Sequence, residues 1–498
     1  MNQSSWQRVK HALGRLIVVG GIGTIALNPP QVRAADAADS VLARAERAMG
    51  GASLNTLRFT GSGTGASFGQ AFEPGKAWPK LTISSFSRTY DYANSAMREE
   101  SARSRAEPLG GGAVPLMGTG EQRQTGFIKD NFTWNQVGQA QVAAPVALDV
   151  RFHDLWTSPH GVLKAAKRHQ ATVQFRNEGG KSLAAVSFKV PGALLSTAFL
   201  NEEGLVERVE ARHSHPVTGD LSVLTQYSDY RDYNGVKFPT RIRQSQAGMT
   251  TLELEVKEVA VNPSIDVQTP DSVRNFTEKV VAEKLAEGVW FLAGGSHNSV
   301  AIEMKDHMVL VETPLYDGRS VAVLDELKKL APGKPLRTVI NSHHHFDHAG
   351  GLRTAAARGA TLLVSEPAKP YFEKLLANSN SIKPDLLAQS GKKAKFQGYS
   401  GKTILSDGNR SIEVHAIEGS VHSKGFTMVY LPAEKLVIQA DAFTPAAPGT
   451  PPPAKPNDNH SNLAENIDRL KLAVDRIVPL HGRVVPLSDL HGMIGRKP

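Results

Sequence analysis

The eleven residues 341–351, NSHHHFDHAGG, constrain this chain more than any other stretch. Four of them are histidine and one is aspartate. A solvated loop has no use for four imidazoles, and an apolar core cannot satisfy them. The preceding TVINS is rich in β-branched residues and reads as extended. Side chains then alternate, so His343 and His345 point to one side and His344 to the other. A turn at Phe346 and Asp347 brings Asp347 and His348 beside the first two. Gly350 and Gly351 let the backbone turn sharply into the helix predicted over GLRTAAARG. The result is two ligand pairs close enough to hold two metal ions. Imidazole and carboxylate suit Zn²⁺, and the same set also accepts Mn²⁺ or Fe²⁺.

The chain contains no cysteine. A thiolate nucleophile, a cysteine-ligated metal and a disulfide are all excluded, so any metal rests on histidine and carboxylate. Four ligands do not fill two coordination spheres. Three downstream residues lie where regular elements end: His422 in GSVHSKG between two predicted strands, Asp441 at the end of KLVIQAD, and His481 in PLHG after an amphipathic helix. A carboxylate at Asp441 is placed to bridge both ions. His344 is expected to face away, His415 to be an ordinary strand histidine, and His297 and His460 to sit in loops near element ends. Nothing raises Tyr316 or Tyr371 above ordinary loop aromatics.

With these residues in order, the stretch from about 277 to 490 resembles the metallo-β-lactamase fold superfamily of αββα metal-dependent hydrolases. The family pattern is H-x-H-x-D-H, a lone His, a bridging Asp and a final His. The resemblance implies a first metal on His343, His345 and His422, and a second on Asp347, His348 and His481, with Asp441 shared. It further implies a dinuclear zinc hydrolase in which a metal-bridging hydroxide attacks an ester, lactone, thioester or amide carbonyl. On this resemblance Asp347 is expected to be the catalytic residue that orients the hydroxide. True β-lactamases of the superfamily usually carry Cys or Ser where this chain has Asp441. That departure points to other branches, such as hydroxyacylglutathione hydrolases, lactonases and related esterases. The lone-His motif, HSKGF here, matches neither H-T-x-G-H nor H-T-x-G-D.

A chain of 498 residues exceeds what one hydrophobic core usually serves. Residues 36–260 read mostly as strands, with helical spacing at residues 38–49 and in SPHGVLKAAKRH. They predict a mostly antiparallel, β-rich accessory domain. YSDYRDYNGVKFPTRIRQ reads as two strands around a turn, and RAEPLGGGAVPLMGTG as an exposed loop. This half loosely resembles periplasmic lipoprotein-carrier proteins, which implies a sheltered lipophilic ligand. VNPSIDVQTPDSVRN, around residues 261–276, is the expected linker. Residues 277–498 then alternate strands and helices, including an amphipathic helix over NLAENIDRLKLAVDRI with Leu463, Ile467, Leu470 and Val474 on one stripe. They form the α/β catalytic domain.

Residues 1–34 read as a secretory signal peptide. Arg8, Lys10 and Arg15 precede the apolar LIVVGGIGTIAL, and VRAA offers small residues for cleavage near Ala34 or Ala35. The competing reading is a retained anchor. Export to the periplasm is expected. The net charge of +9 falls to +5 without the four basic residues of this leader (9 − 4). No Lys/Arg run stands out, so nucleic acid is not an expected partner. The expected partner is a small-molecule or acyl substrate; oligomeric state is not legible. Two rival functions stand beside hydrolysis: a cell-envelope carrier of lipophilic ligands with an accessory metal domain, and an iron-dependent oxidoreductase on the same fold.

Overall fold

The structure, a computed structural model, describes residues 34–107, 110–112 and 120–496. The leader read over residues 1–34 lies outside these except for its last residue. Among the described residues no helix is long and apolar enough to cross a membrane.

The first half of the chain builds one antiparallel sheet of 13 strands. Its first strand, Thr56–Ala66, pairs with its last, Met249–Val261, at the centre. Two meanders spread outward from that seam, ending at edge strands Ala140–Ala143 and Thr172–Glu178. Helices Ala34–Ala48, Leu148–Trp156 and Pro159–Arg168 pack against the sheet. Met49, Phe59, Trp156, Val162 and Phe238 share one core, so side chains occupy the space between sheet and helices. The helix Leu148–Trp156 is not among those expected from the sequence. Its LDVRFHDLW has only a weak apolar stripe, and it is held by burying His153, Leu155 and Trp156.

After Val261 the chain runs along the first domain, with Val267 and Val273 buried against Ala96 and Trp134. The expected linker is therefore packed down rather than free. From Val281 onward the chain forms a seven-stranded and a six-stranded sheet. Phe291, Val309, Val414, Val429 and Ile438, drawn from both sheets, share one core. The helices Asp317–Leu330 and Leu352–Ala357 contribute to a second core with Leu310, Val339 and Leu362.

Two local expectations need correction. The helix predicted over residues 462–477 spans Asp458–Arg469 instead. Lys471 has φ +53°, and Arg476–Pro479 is a strand paired in parallel with Leu436–Gln439. Its Ile and Val fit a pleated, buried surface, and that tertiary pairing overrides the helical period. Neither Gly350 nor Gly351 supplies a special turn, because Gly350 is right-handed and Gly351 has φ −106°. Their role is close approach. A Cβ would lie 1.9 Å from the Leu315 carbonyl oxygen at Gly350, and 1.7 Å from Ser320 Oγ at Gly351.

Candidate metal centre

The seven residues singled out in the sequence converge at one end of the two small sheets, and strand register explains how. The strand Leu336–Ile340 runs parallel to Met308–Val311, with Ile340 opposite Val311. The residues following both strands therefore emerge side by side. His343 and His345 leave the first, and His345 caps the short helix Phe346–Ala349 that carries Asp347 and His348. In the other sheet Gln439 lies opposite Pro479 in a parallel pair. Asp441 and His481, each two residues further on, meet with Oδ1 and Nε2 2.9 Å apart. His481 thus follows a strand, not the amphipathic helix of the sequence reading. His422 enters from the loop between Ser411–Ala416 and Thr427–Leu431. The Thr427 N–H donates to the Ser342 carbonyl at 2.9 Å and ties that loop to the histidine loop.

Two groups of ligand atoms joined by Asp441 result, beside a third of Glu312, His343 and His348. His343, His345, His422 and Asp441 form one, and Asp347, His348, His481 and His297 the other. His343 Nε2 lies 2.9 Å from His345 Nδ1 and 3.2 Å from His422 Nε2. His348 Nε2 lies 3.1 Å from His481 Nε2. Asp441 reaches both groups, with Oδ2 2.9 Å from His422 Nε2 and Oδ1 3.1 Å from His348 Nε2.

The other ring nitrogens show which atoms are free to coordinate. His348 donates from Nδ1 to Glu312 Oε2 at 2.7 Å, and His481 from Nδ1 to the Ser296 carbonyl at 2.9 Å. His345 donates from Nε2 to the Ala71 carbonyl at 2.9 Å. A carboxylate or carbonyl only accepts, so each contact keeps a proton on the outer nitrogen and makes the inner nitrogen the one that can offer a lone pair to a metal. The inward atom is Nε2 for His348 and His481 but Nδ1 for His345.

These residues suit divalent ions. Zinc–nitrogen bonds of about 2.0–2.1 Å at tetrahedral angles put neighbouring nitrogens about 3.3 Å apart, close to the spacing observed. Asp441 Oδ1 is buried without a hydrogen-bond donor of its own. Buried Glu312 and Asp441 and the partly exposed Asp347 crowd three carboxylates together, a charge that two divalent cations would offset.

Electrostatics follow the same geometry. Burial opposes charge on His348, yet Asp441, Glu312 and Asp347 hold its pKa well above the usual imidazole value. Burial likewise opposes charge on Asp441, but His348 and His422 keep it well below the usual carboxylate range. Burial, then neighbouring histidines, push His343 and His345 well below 6.5. Exposure is uneven: the His345 and His422 residues are 0% exposed, whereas the Asp347 side chain is 33% exposed. The second group is the one that meets solvent.

His344 stands apart from both groups and contacts Ser423 Oγ through Nδ1 at 3.2 Å. His415 bonds Glu413 at 2.8 Å, His460 packs edge-on to Phe443, and Tyr316 bonds Glu278. Tyr371 packs edge-on to His344, 6.0 Å between ring centres.

Sequence reasoning missed three contributors. His297 was read as a loop histidine able to line a pocket, not as a member of the ligand cluster; its Nε2 lies 3.3 Å from Asp347 Oδ2, because the Asn298 N–H donates to the Leu480 carbonyl beside His481. Glu312 ended a predicted strand without comment. It is fully buried at φ +64° and binds both His348 and Ser342. A left-handed, buried, charged residue is a costly choice whose signal is visible only in three dimensions. The third is the first domain itself. The loop at residues 67–79 brings Gln70 and Ala71 against Asp347 and His345. Gly111 and Gly112, expected in an exposed loop, are buried beside Gln70.

Residues 292–481 match the family model of the metallo-beta-lactamase superfamily. The C-terminal domain therefore has the metallo-β-lactamase fold. A curated relative, the alpha subunit of 2,4-dinitroanisole O-demethylase from Nocardioides sp. (strain JS1661), is 24% identical over 178 residues, covering 36% of this chain and 50% of that protein. The chain thus spans about half the length of that relative. Similar solved structures include a metallo-beta-lactamase from Pontibacter korlensis, 18% identical, covering 44% of this chain and 98% of that one with a TM-score of 0.34. DIM-1 metallo-beta-lactamase is 18% identical, covering 43% and 95%, with a TM-score of 0.33.

Proposed function

We propose that this chain is an exported, dinuclear metal-dependent hydrolase acting on an ester, lactone, thioester or amide carbonyl. The observation that carries this reading is the pair of ligand groups sharing Asp441, with the coordinating atoms of His345, His348 and His481 turned inward by outer hydrogen bonds. His343, His345 and His422 would hold one ion. Asp347, His348 and His481 would hold the other, with His297 beside them and Asp441 between. Bound divalent ions, zinc foremost, supply Lewis acidity towards a carbonyl oxygen and make water nucleophilic near neutral pH. Asp347 is the partly exposed carboxylate of the cluster, so it is the group placed to orient an incoming water and pass its proton to the leaving group. The buried histidines around it exclude bulk water, which strengthens every charge interaction inside. Export to the periplasm rests on the leader sequence, and the αββα layering on the core shared by the two small sheets.

The relative named for O-demethylation widens the bonds worth testing, so a substrate panel should hold lactones, thioesters, acyl esters and 2,4-dinitroanisole. Metal identity in the full chain purified without added metal or chelator separates zinc hydrolysis from the iron-dependent redox alternative, and a zinc-supplemented preparation gives the ion count. Fewer than about one ion per chain would sink the dinuclear reading. Asp347→Asn should abolish turnover of whichever substrate responds while much of the metal stays bound. Undiminished turnover would remove Asp347 from the mechanism.

A further inference from the structure

The loop between the first two strands of the N-terminal domain does more than pack against the catalytic domain. Four successive residues each make one hydrogen bond to a loop that carries metal ligands. The Gly69 carbonyl accepts from the Phe346 N–H at 3.3 Å. Gln70 Nε2 donates to Asp347 Oδ1 at 2.8 Å. The Ala71 carbonyl accepts from His345 Nε2 at 2.9 Å. The Phe72 carbonyl accepts from the Lys424 N–H at 2.8 Å, two residues past His422. The strap therefore bridges the histidine loop and the His422 loop, which belong to different sheets.

Its fit is tight. A Cβ at Gly69 would lie 2.3 Å from Phe346 Cδ2, and one at Gly112 would lie 2.0 Å from Gln70 Oε1. The Gln70 amide is thus backed by Gly112 and aimed at Asp347. Phe68 packs edge-on to Phe346 and to Trp78, anchoring the strap at its start. Glu73 pairs with Lys424 at 3.1 Å near its end.

We infer that residues 69–72 of the N-terminal domain are part of the metal centre, with Gln70 the positioning residue for Asp347 and the Ala71 carbonyl that for His345. A carboxylate only accepts, so Gln70 must present its NH₂ to Oδ1. That bond fixes the rotation of the carboxylate and leaves Oδ2 facing His297 and His348, at 3.3 and 3.8 Å. The Ala71 carbonyl holds the proton of His345 on Nε2 and frees Nδ1 for the first group. Outer hydrogen bonds of this kind set ligand orientation and tautomer, and losing one typically costs about 10–100-fold in metal affinity.

The inference rests on the proposed dinuclear centre, and the experiment separates the two. The metal-free full chain is titrated with Co²⁺ followed by visible absorption, and with Zn²⁺ against a chromophoric chelator. Wild type, Gln70→Leu, Gln70→Glu and Asp220→Ala are compared. Asp220 serves as the control because it accepts from the Ser381 and Ile382 N–H groups, an interdomain contact away from the centre. Gln70→Leu should weaken the second ion about 10–100-fold and change its cobalt spectrum, leaving the first ion unaltered. Gln70→Glu, similar in size, should do the same or more by placing a second carboxylate against Asp347. Asp220→Ala should match wild type. Both Gln70 variants binding two ions with wild-type constants and spectra would overturn the inference. So would an equal loss in Asp220→Ala, which would assign the effect to domain docking. Failure of the wild type to bind two ions would overturn the dinuclear reading instead.

Discussion

Glu312→Gln removes one charge and one acceptor at the least accessible point of the centre. The carboxylate accepts from His348 Nδ1 at 2.7 Å through Oε2. Through Oε1 it accepts from the Ser342 N–H at 3.3 Å and from the Ser342 hydroxyl. An amide has one oxygen and one NH₂. With its oxygen towards His348, the NH₂ meets the Ser342 N–H, and a buried donor left without an acceptor costs about 1–3 kcal/mol. With its NH₂ towards His348, the ring must accept at Nδ1 and carry its proton on Nε2. That atom lies 3.1 Å from Asp441 Oδ1, so the lone pair a metal needs is lost. Either arrangement also gives up a charge-assisted bond worth about 1.5–3 kcal/mol. The metal-free variant takes the less costly arrangement, and we expect it to lose roughly 2–3 kcal/mol. At roughly 2–4 °C per kcal/mol for a domain of this size, that is a melting shift of roughly 4–12 °C. Zinc affinity should fall by about 10–100-fold. Thermal melts of the metal-free full chain and chelator competition read the two effects separately. A variant melting within about 1 °C of wild type and binding zinc with unchanged constants would refute the reasoning, because Glu312 would then neither pair with His348 nor orient it.

Two further predictions concern stability. Gly351→Ala puts a methyl group 1.7 Å from Ser320 Oγ and 2.7 Å from the Thr313 carbonyl oxygen, and should cost about 3 kcal/mol; Ser320→Gly in the same chain should restore part of the melting temperature, and no recovery would count against the close-approach argument. In the first domain, burial pushes His160 and His213 down from 6.5 to about 4. Between those values the unfolded chain holds more protons than the folded one, so stability falls as pH drops through that window, by at most roughly 3 kcal/mol per ring. Urea titrations across the window measure this, and His213→Gln should flatten the slope; an unchanged slope would mean the ring is not buried in its neutral form.

Much of the centre was legible because its chemistry is local. His343, His345, Asp347 and His348 sit within six residues, and strand and turn geometry is enough to group them. His422, Asp441 and His481 were found as polar residues beside regular elements, in a loop between two strands, at a strand end and after a helix, where a scaffold aims side chains. Glu312 escaped because a carboxylate after a strand looks like any solvated acid. Its burial depends on the parallel pairing of Met308–Val311 with Leu336–Ile340, a contact with no local period. The helix expected through Ile477 failed for the same reason, since pairing with Leu436–Gln439 decides that segment.

The sequence by itself determined the donor types, their order along the chain, and the exclusion of thiolate, all of which depend on residue identity and short spacing. Tertiary structure alone decided which nitrogen of each ring faces inward, that Glu312 and His297 join the cluster, and that the N-terminal domain supplies part of it. Gln70 and Asp347 are 277 residues apart. A hydrogen bond across that distance is selected by the packing of two domains, and neither propensity nor periodicity around FGQAF carries any trace of it.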